Sequence, residues 1–491
     1  MTLADERLKE LDNHSLTKDE RALLRCRLAA DLIHKGQYDD ACEALGDLWQ
    51  GAGGRPNLEG LGERAAAEVL LQAGVLSGWL GKVKGAQDAA KDLISESAAL
   101  FEKLGEANRA AAVRADLAVC YWREGAYSEA RAVLESAAGL IEEDAPLKAR
   151  TVLCFGMVES SAGRHSDALR LLLESAPLFG EGVSHRLRSI FHNELAISLY
   201  FLGKAERRAD YTDRAIIEYT AAVYHAEKAG FEQYGASIEN NLAFLLYKLG
   251  RYADAHKHLD RAQAVLTRLK DTRTLAQVDE TRARVLIAER RYRDAERTLA
   301  GALRTLEKAD ASALLADALT VQGVIRARLW EHQSSIGVLR RAAEVAEAAG
   351  ALPNAGQAML TLVEENGSSR LLTPAEVYDA YRRADSLLKG TQDAEDVERL
   401  RACARVVMRR LSDATIHEKN FSLYGAMHEF EAKLIGQALD EAGGSVTKAA
   451  KLLGLTHQTL ISILETRHAA LAAKRKPAQK RLKSIIREPK K

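Results

Sequence analysis

Apolar and polar residues alternate along most of the chain with the spacing of amphipathic helices, and one arrangement returns at nearly regular intervals. In residues 17 to 350 the unit is an apolar-periodic helix with a small residue in its middle, a tight turn, and a second helix. The turn positions that we assign are Gly36, Gly81, Gly125, Gly163, Gly203, Gly250, Arg290 and Trp330. Seven residues before each turn lies an alanine or glycine, namely Ala29, Gly74, Ala118, Gly156, Ala196, Ala243, Ala283 and Gly323. The pattern predicts about eight helical hairpins in series.

The second helix of each predicted hairpin also has a small residue near its start. It lies five positions after the turn, at Ala41, Ala86, Ala130, Ala168, Ala255, Ala295 and Ser335. After Gly203 the equivalent residue is Ala215, twelve positions on. The interval from Ala196 to Ala243 is 47 residues, against 40 for each of the next two intervals. Both comparisons give an insertion of seven residues, which we place in the turn GKAERRADYTDRA.

Small residues at these positions have a physical reason. Two antiparallel helices approach closely only where their facing side chains are small. One hairpin cannot bury its apolar face alone, whereas a stack of hairpins can. The segments NNLAFLLYKLGRYADAHKHLDRA and LAVCYWREGAYSEARAVLESA resemble tetratricopeptide repeats. The resemblance implies an all-α solenoid over residues 1–350, whose first helices line a concave face that binds a protein or peptide ligand.

Polar residues of the first helices are the candidate ligand contacts on that face. Aligned on the turns, Asn193 and Asn240 occupy one repeat position, and Asp116, Glu194 and Asn241 occupy the next. In tetratricopeptide repeats an asparagine near this place often holds a peptide backbone. The alternative is that these side chains face solvent or bond a neighbouring repeat.

Weaker repeat character continues beyond Gly350. We predict helices over residues 353–366, 375–388 and 394–411, the second opened by a cap at Thr373 with Pro374 in the first turn. The predicted divisions are capping helices at 351–411, a linker at 412–420, a helix-turn-helix at 421–472 and a basic tail at 473–491.

Three short helices are predicted in residues 421–472. Gly443, Gly444 and Gly454 supply the turns between them, and Ser445 and Thr456 cap the second and third helices. The residues predicted to be buried are Leu434, Ile435, Ala438 and Leu439, then Val446, Ala449, Ala450, Leu452 and Leu453, then Leu460 and Leu464. This arrangement favours a helix-turn-helix whose third helix presents its first turn to DNA.

The sequence GGSVTKAAKLLGLTHQTL resembles the Fis-type helix-turn-helix, with its Ala-Ala pair, its Leu-Gly turn and its Thr-Leu in the recognition helix. The resemblance implies a homodimer, in which the helix of residues 431–440 contributes to the subunit contact, and a recognition helix inserted in double-stranded DNA. The predicted DNA-binding residues of the helices are Ser445, Thr447, Lys448, Thr456, His457, Gln458, Thr459 and Ser462. Arg467, Lys474, Arg475 and Lys476 are predicted to contact phosphates.

The recognition helix departs from the Fis-type pattern. It has His457 and Ser462 where arginine or lysine is usual, and Ile461 and Ile463 at commonly polar positions. Phosphate neutralisation supplies most non-specific affinity, so the basic tail is a candidate substitute. In isolation such a tail is equally typical of a solvated, disordered segment, but directly after a recognition helix an arm on DNA phosphates is favoured.

Composition limits the class of protein. With 47% apolar and 28% charged residues, the 491-residue chain is expected to fold as a soluble protein. The net charge of +1 hides a basic excess at the C-terminus. The five cysteines lack a CxxC spacing and are expected to be buried and reduced. No signal-peptide core or long apolar run is present, which predicts a cytoplasmic protein without a membrane contact.

Motifs for catalysis are missing from the sequence. There is no GxxxxGK[ST] and no HExxH, and His256 and His258 lie on different faces of a predicted helix. We therefore expect no enzyme activity, cofactor or metal. The sequence favours a dimeric transcriptional regulator whose solenoid receives a protein or peptide signal. The alternative is an interaction scaffold that does not bind DNA, in which the terminal helices only dimerise and Ile461 and Ile463 contact protein.

Overall fold

The computed structural model describes residues 16–34, 36–80, 86–309, 312–391, 393–413 and 422–474. Within them the chain forms 22 α-helices and no β-strand, which confirms the predicted all-α fold. These residues divide into two compact units. Unit 1 comprises the described residues up to Asn366 together with Arg383–Leu400, and unit 2 comprises Gly367–Arg382 and the described residues from Arg401.

Helical hairpins in series build most of unit 1, a tetratricopeptide-like solenoid. The first four pair α1 (Lys18–His34) with α2 (Tyr38–Leu45), α3 (Glu63–Leu80) with α4 (Ala86–Lys103), α5 (Ala107–Arg123) with α6 (Tyr127–Leu140), and α7 (Ala145–Ser161) with α8 (His165–Ser175). The next four pair α9 (His185–Glu206) with α10 (Ala209–Lys228), α11 (Glu232–Lys248) with α12 (Tyr252–Leu269), α13 (Thr272–Ala288) with α14 (Tyr292–Lys308), and α15 (Ser312–Arg328) with α16 (His332–Ala348).

Six more helices follow the hairpins. They are α17 (Leu352–Asn366), α18 (Pro374–Leu387), α19 (Ala394–Asp413), α20 (Leu423–Glu441), α21 (Val446–Leu452) and α22 (His457–Thr466), and a 3-10 helix follows at Ala469–Lys474. The predicted cap of α18 is confirmed, because the Thr373 hydroxyl accepts from the Glu376 amide while the Glu376 carboxylate accepts from the Thr373 amide.

Small residues do hold the hairpins together. A Cβ added to Gly74 would lie 2.6 Å from Cγ1 of Ile94 on the paired helix, and one added to Gly323 would lie 2.4 Å from Cγ of Leu339. Alanine occupies the same position in other hairpins, and Ala196 and Ala243 are fully buried. The predicted register of small residues is therefore confirmed.

Most predicted turn positions have the left-handed backbone that such turns need. Gly125, Gly163 and Gly250 have φ near 75°, and the non-glycine residues Arg290 and Trp330 have φ of 62° and 66°. Gly81 lies outside the described residues.

The insertion of seven residues lies in the helices, and its assignment to the turn was wrong. Helix α9 continues past Gly203 to Glu206, and the left-handed residue is Arg207, four positions later. Ala215 follows Arg207 by eight positions rather than five, which adds three residues to the start of α10. The four residues added to α9 and the three added to α10 together make up the insertion of seven residues. Because Ala, Glu, Arg and Lys in this segment favour helix, the extra residues lengthen both helices rather than a loop.

Ion pairs tie the segment Arg383–Leu400 to the solenoid within unit 1. Lys204 Nζ lies 2.9 Å from an Asp393 oxygen and 2.7 Å from a Glu395 oxygen, and Lys248 Nζ lies 3.0 Å from Glu395. Burial alone would raise the pKa of Glu395, but hydrogen bonds from both lysines lower it to about 2.

None of the helices in the described part of the chain has both the length and the apolar character needed to cross a membrane. All five cysteines lie in that part, and none forms a disulfide. Cys26, Cys120 and Cys403 are buried, as predicted, whereas Cys42 and Cys154 are half-buried.

The close approach at Gly323 can be tested by a single methyl group. Gly323→Ala is expected to destabilise the protein by roughly 1–3 kcal/mol, because overpacking of a core costs about that much. Gly337→Ala is the matched control in α16, where nothing lies within 4 Å of an added Cβ. It should stabilise the protein by about 0.5–1 kcal/mol, since alanine favours helix over glycine. Urea unfolding followed by circular dichroism measures both, and equal effects would contradict the packing.

Candidate DNA-binding surface and solenoid cavity

The last three helices of unit 2 fold around a small apolar core. Its buried residues are Ile435, Ala438, Leu439, Ala449, Ala450, Leu460 and Leu464, all of them predicted. Leu434 and Leu452 were predicted to be buried as well, but they are 40% and 54% exposed. The core is too small for each helix to bury more than a narrow stripe.

Turns and caps set the directions of these helices. Gly443, Gly444 and Gly454 have φ of 57°, 82° and 66°, as their predicted turn roles require. The Thr456 hydroxyl accepts from the Thr459 amide at 3.1 Å, which caps the third helix α22. Ser445 occupies the cap position of α21 but its side chain makes no cap hydrogen bond.

The first turn of α22 forms an exposed polar tip. His457, Gln458, Thr459 and Ser462 are all exposed. The Thr459 hydroxyl lies 2.7 Å from the Thr456 hydroxyl, so these two side chains share a hydrogen bond. From α21, Thr447 and Lys448 are exposed and Ser445 is half-buried. Among the predicted helix contacts, the imidazole, the carboxamide and the Ser462 hydroxyl are thus open to a ligand.

A second candidate site is a cavity of about 850 Å³ inside the solenoid. The first helices of six successive hairpins line it, from α1 to α11. Hairpins distant in sequence meet at one side, since a Cβ added to Gly36 would lie 2.6 Å from Oε1 of Gln233. The cavity volume lies within the range of about 300–1,000 Å³ that is usual for small-molecule sites.

Of the five residues predicted to bind a partner on the solenoid, only Asp116 lines this cavity, where it pairs with Arg150. Asn193 and Glu194 are buried, and the Asn193 amide donates to the Glu194 carboxylate at 3.1 Å. Asn241 donates to Asn193 at 3.4 Å, which joins neighbouring hairpins as the alternative prediction proposed. The half-buried Asn240 has no hydrogen-bond partner for its Oδ1 among the described residues.

Glu194 has an unusual environment for a carboxylic acid. Burial raises its pKa to about 7, against the opposing effect of the hydrogen bond from Asn193. A carboxyl group with this pKa is largely protonated in mildly acidic solution. It is therefore a poor candidate for a permanently charged ligand contact.

Comparison with protein families identifies the C-terminal helices. Residues 426–462, from α20 to the middle of α22, match the model described as "Bacterial regulatory protein, Fis family". Residues 426–462 form a Fis-family helix-turn-helix domain. The predicted resemblance is confirmed for this part of the chain.

Solved structures with similar arrangements cover the solenoid. The apo form of RapI is 13% identical over 74% of this chain and 97% of that chain, with a TM-score of 0.44. Yeast Tom70 is 14% identical over 83% and 85%, with a TM-score of 0.43. Human IFIT1 with PPP-AAAA is 16% identical over 96% and 100%, with a TM-score of 0.41. No curated protein sequence matches the chain. These likenesses assign no function to the solenoid.

The structure describes only two of the four predicted phosphate contacts, Arg467 and Lys474. Arg467 is half-exposed and donates to Glu431 at 3.3 Å, and His468 also contacts that carboxylate at 2.9 Å. Lys474 is the last residue of the 3-10 helix. Arg475 and Lys476 lie outside the described residues. Sequence reasoning missed the exposed Lys451, which shares a face of α21 with Lys448 at a spacing of three residues.

The apolar residues that favoured a pure scaffold are less exposed than predicted. Ile461 and Ile463 are both half-buried, and Ile463 packs against the domain core. Apart from Leu452 on α21, the exposed large apolar side chains of the Fis-family domain lie on α20, where Tyr424, Met427 and Phe430 are 74%, 61% and 65% exposed. Leu434 continues the same face. This apolar stripe, Tyr424 to Leu434, is the candidate protein contact of the domain.

Two pairs of side chains in the cavity also escaped sequence reasoning. The Arg123 guanidinium lies 4.4 Å from the ring centre of Trp79, and that of Arg186 lies 3.9 Å from the ring centre of Phe231. The repeat register does indicate the first of these pairs. Trp79 and Arg123 each lie two residues before a turn position and so occupy the same place in successive hairpins.

Proposed function

We propose that this protein is a bacterial, cytoplasmic transcription regulator that binds double-stranded DNA as a homodimer and is not an enzyme. The Fis-family domain reads the DNA, and the solenoid receives a protein or peptide signal. The observation that supports this function most directly is the exposed polar tip of α22 within a segment that matches the Fis family. A helix presented in this way fits the major groove.

Base recognition in this proposal belongs to three side chains of the tip. The Gln458 carboxamide can bond adenine at two points, whereas His457 and Ser462 can accept or donate and so accommodate several bases. Thr456 and Thr459, which bond each other, are suited to phosphate contacts through their remaining hydrogen-bonding capacity. The site therefore combines one selective contact with several permissive ones.

Phosphate neutralisation in this proposal belongs mainly to the basic tail. Residues 422–474 contain five basic and five acidic side chains, so this segment has no net formal charge. The basic residues are Lys433, Lys448, Lys451, Arg467 and Lys474, and the acidic ones are Glu429, Glu431, Asp440, Glu441 and Glu465. Residues 475–491 carry eight basic side chains and only Glu488 as an acid. Affinity for the DNA backbone should accordingly depend on the tail.

The apolar stripe of α20 supports the homodimer. Tyr424, Met427, Phe430 and Leu434 recur at spacings of three and four residues, which places them on one side of the helix. Nearer the helix end, Ile435 and Leu439 are covered by the domain core, but the stripe is open to solvent. A two-fold contact between α20 helices of two chains would bury the same stripe on both.

The DNA-binding proposal predicts retardation of genomic duplex DNA in a mobility-shift experiment at low salt. The variant His457→Ala/Gln458→Ala/Ser462→Ala should need at least about tenfold more protein for the highest-affinity fragments, since one good bidentate base contact contributes about 1–3 kcal/mol. The exposed Gln333 of α16 provides a control, and Gln333→Ala should bind like the intact protein. If the intact dimer retards no DNA, the scaffold is the correct function.

The tail proposal predicts a change in salt dependence. Deletion of residues 474–491 should reduce the slope of log affinity against log salt concentration by about 0.9 for each phosphate that the tail neutralises in the intact protein. The variant Lys480→Gln/Arg481→Gln/Lys483→Gln keeps the chain length and should reduce the slope in proportion to the smaller number of positive charges that it removes. A slope that is the same in all three proteins would exclude the tail as a phosphate-binding arm.

The dimer proposal predicts that polar substitutions in the apolar stripe weaken self-association. Tyr424→Ser/Phe430→Ser should raise the dimer dissociation constant at least about tenfold, because burial of each aromatic side chain is worth roughly 1.5–3 kcal/mol. Glu429→Gln changes an exposed residue on the opposite side of α20 and should leave the constant unchanged. Sedimentation equilibrium measures the three constants. An intact chain that remains monomeric at micromolar concentration would contradict the proposal.

A further inference from the structure

The solenoid cavity carries an excess of positive charge. Its lining contains four arginines, Arg109, Arg123, Arg150 and Arg186, and a single acid, Asp116. Two of the arginines are paired with carboxylates, Arg109 with Glu68 and Arg150 with Asp116. With Glu68 and Asp116 counted, four arginines stand against two carboxylates, so the cavity keeps an excess of positive formal charge.

Arg123 is held in place without a carboxylate. Its guanidinium donates to the Gly78 carbonyl and covers the ring of Trp79, while the residue stays exposed to solvent. In the described part of the chain no aspartate or glutamate lies within ion-pair distance of it. Burial lowers the pKa of Arg123, as expected for a cation without a carboxylate beside it. A cation fixed by a carbonyl and a ring keeps several free N–H groups, which suits it to bind an anion.

Arg186 approaches the same space from another hairpin. It lies over Phe231 and is half-buried. Burial lowers its pKa, Tyr38 and Tyr234 partly offset that effect, and Arg150 adds a small further lowering. Tyr38 links the two arginines: its ring stacks on Trp79 at 5.4 Å, and the charges of both arginines partly offset the rise that burial causes in its pKa.

Apolar side chains complete the lining. Val75, Val119, Met157 and Leu187 contribute from four different first helices, and Trp79 and Phe231 add ring faces beside the two arginines. The cavity is of small-molecule size, and it combines an apolar lining with guanidinium groups that lie over Trp79 and Phe231. That combination matches a ligand with an apolar or aromatic body and one anionic group.

We propose that the solenoid cavity binds a small organic anion, an apolar or aromatic molecule with a carboxylate or phosphate group that Arg123 and Arg186 bind. The biological use of this ligand binding rests on the proposed function, in which the solenoid receives a signal. Ligand binding itself does not require DNA, so the two proposals can fail separately.

Two fluorescent probes with nearly the same aromatic body test the anion requirement. 8-Anilinonaphthalene-1-sulfonate carries one negative charge, and N-phenyl-1-naphthylamine lacks it. The intact full-length protein should bind the sulfonate at least about tenfold more tightly, because hydrogen bonds to a charged group are worth more than those between neutral groups. Arg123→Gln and Arg186→Gln should each weaken sulfonate binding roughly tenfold and leave the amine within about twofold. Retained amine binding also shows that the variant cavity is folded.

Arg304→Gln is the matched control, since Arg304 is exposed on α14 and does not line the cavity. This substitution should change neither the dissociation constant of the sulfonate nor that of the amine. Competition by 1-naphthylacetate and 1-naphthyl phosphate then shows whether the cavity prefers a carboxylate or a phosphate. The preferred group is the one whose compound displaces the sulfonate at the lower concentration. The proposal is overturned if the intact protein binds both probes equally, if neither competitor displaces the sulfonate, or if the cavity variants bind the sulfonate as tightly as Arg304→Gln does. Mobility shift of the same variants reports on DNA binding independently.

Discussion

The close approach of two helices at a small residue is the constraint on which the solenoid depends. In the last hairpin a single added methyl group at Gly323 would overlap Leu339, and the same holds at Gly74 for Ile94. Such contacts fix the distance within a hairpin and leave one apolar face for the next hairpin. Because the contact recurs at the same position, first helices stack beside first helices. Equivalent residues of successive hairpins therefore become neighbours.

That stacking explains both the internal bonds of the solenoid and its cavity. Asn241 bonds Asn193, and Arg150 pairs with Asp116, each across a boundary between hairpins. Trp79 and Arg123 meet by the same rule, but within the cavity, where the arginine has no acidic partner among the described residues. The small Fis-family domain differs from the solenoid, because its candidate contacts lie on exposed faces and not in a cavity. Seven buried residues suffice for its core, and its exposed faces provide the candidate contacts with DNA and with a second chain.

The sequence predicted whatever depends on local spacing. Small residues in the hairpins, glycines at turns, the Thr373 cap and the core of the last three helices followed from period and turn chemistry. Spacing reveals an insertion but not its conformation, so the residues after Gly203 were placed in a turn although they extend α9 and α10. Leu434 and Leu452 were expected in a core that is too small to cover them. The approach of Tyr38 to Arg186 depends on how six hairpins stack together, which no local pattern encodes.

Selection of random duplexes by the intact protein, followed by sequencing, tests most directly the claim that the polar tip of α22 reads DNA. The account predicts enrichment of one motif with two related half-sites about one helical turn apart, as expected for a symmetric dimer with a recognition helix in each major groove. Methylation of guanine N7 in those half-sites should interfere with binding. Recovery of sequences no different from the starting pool at every salt concentration would contradict it.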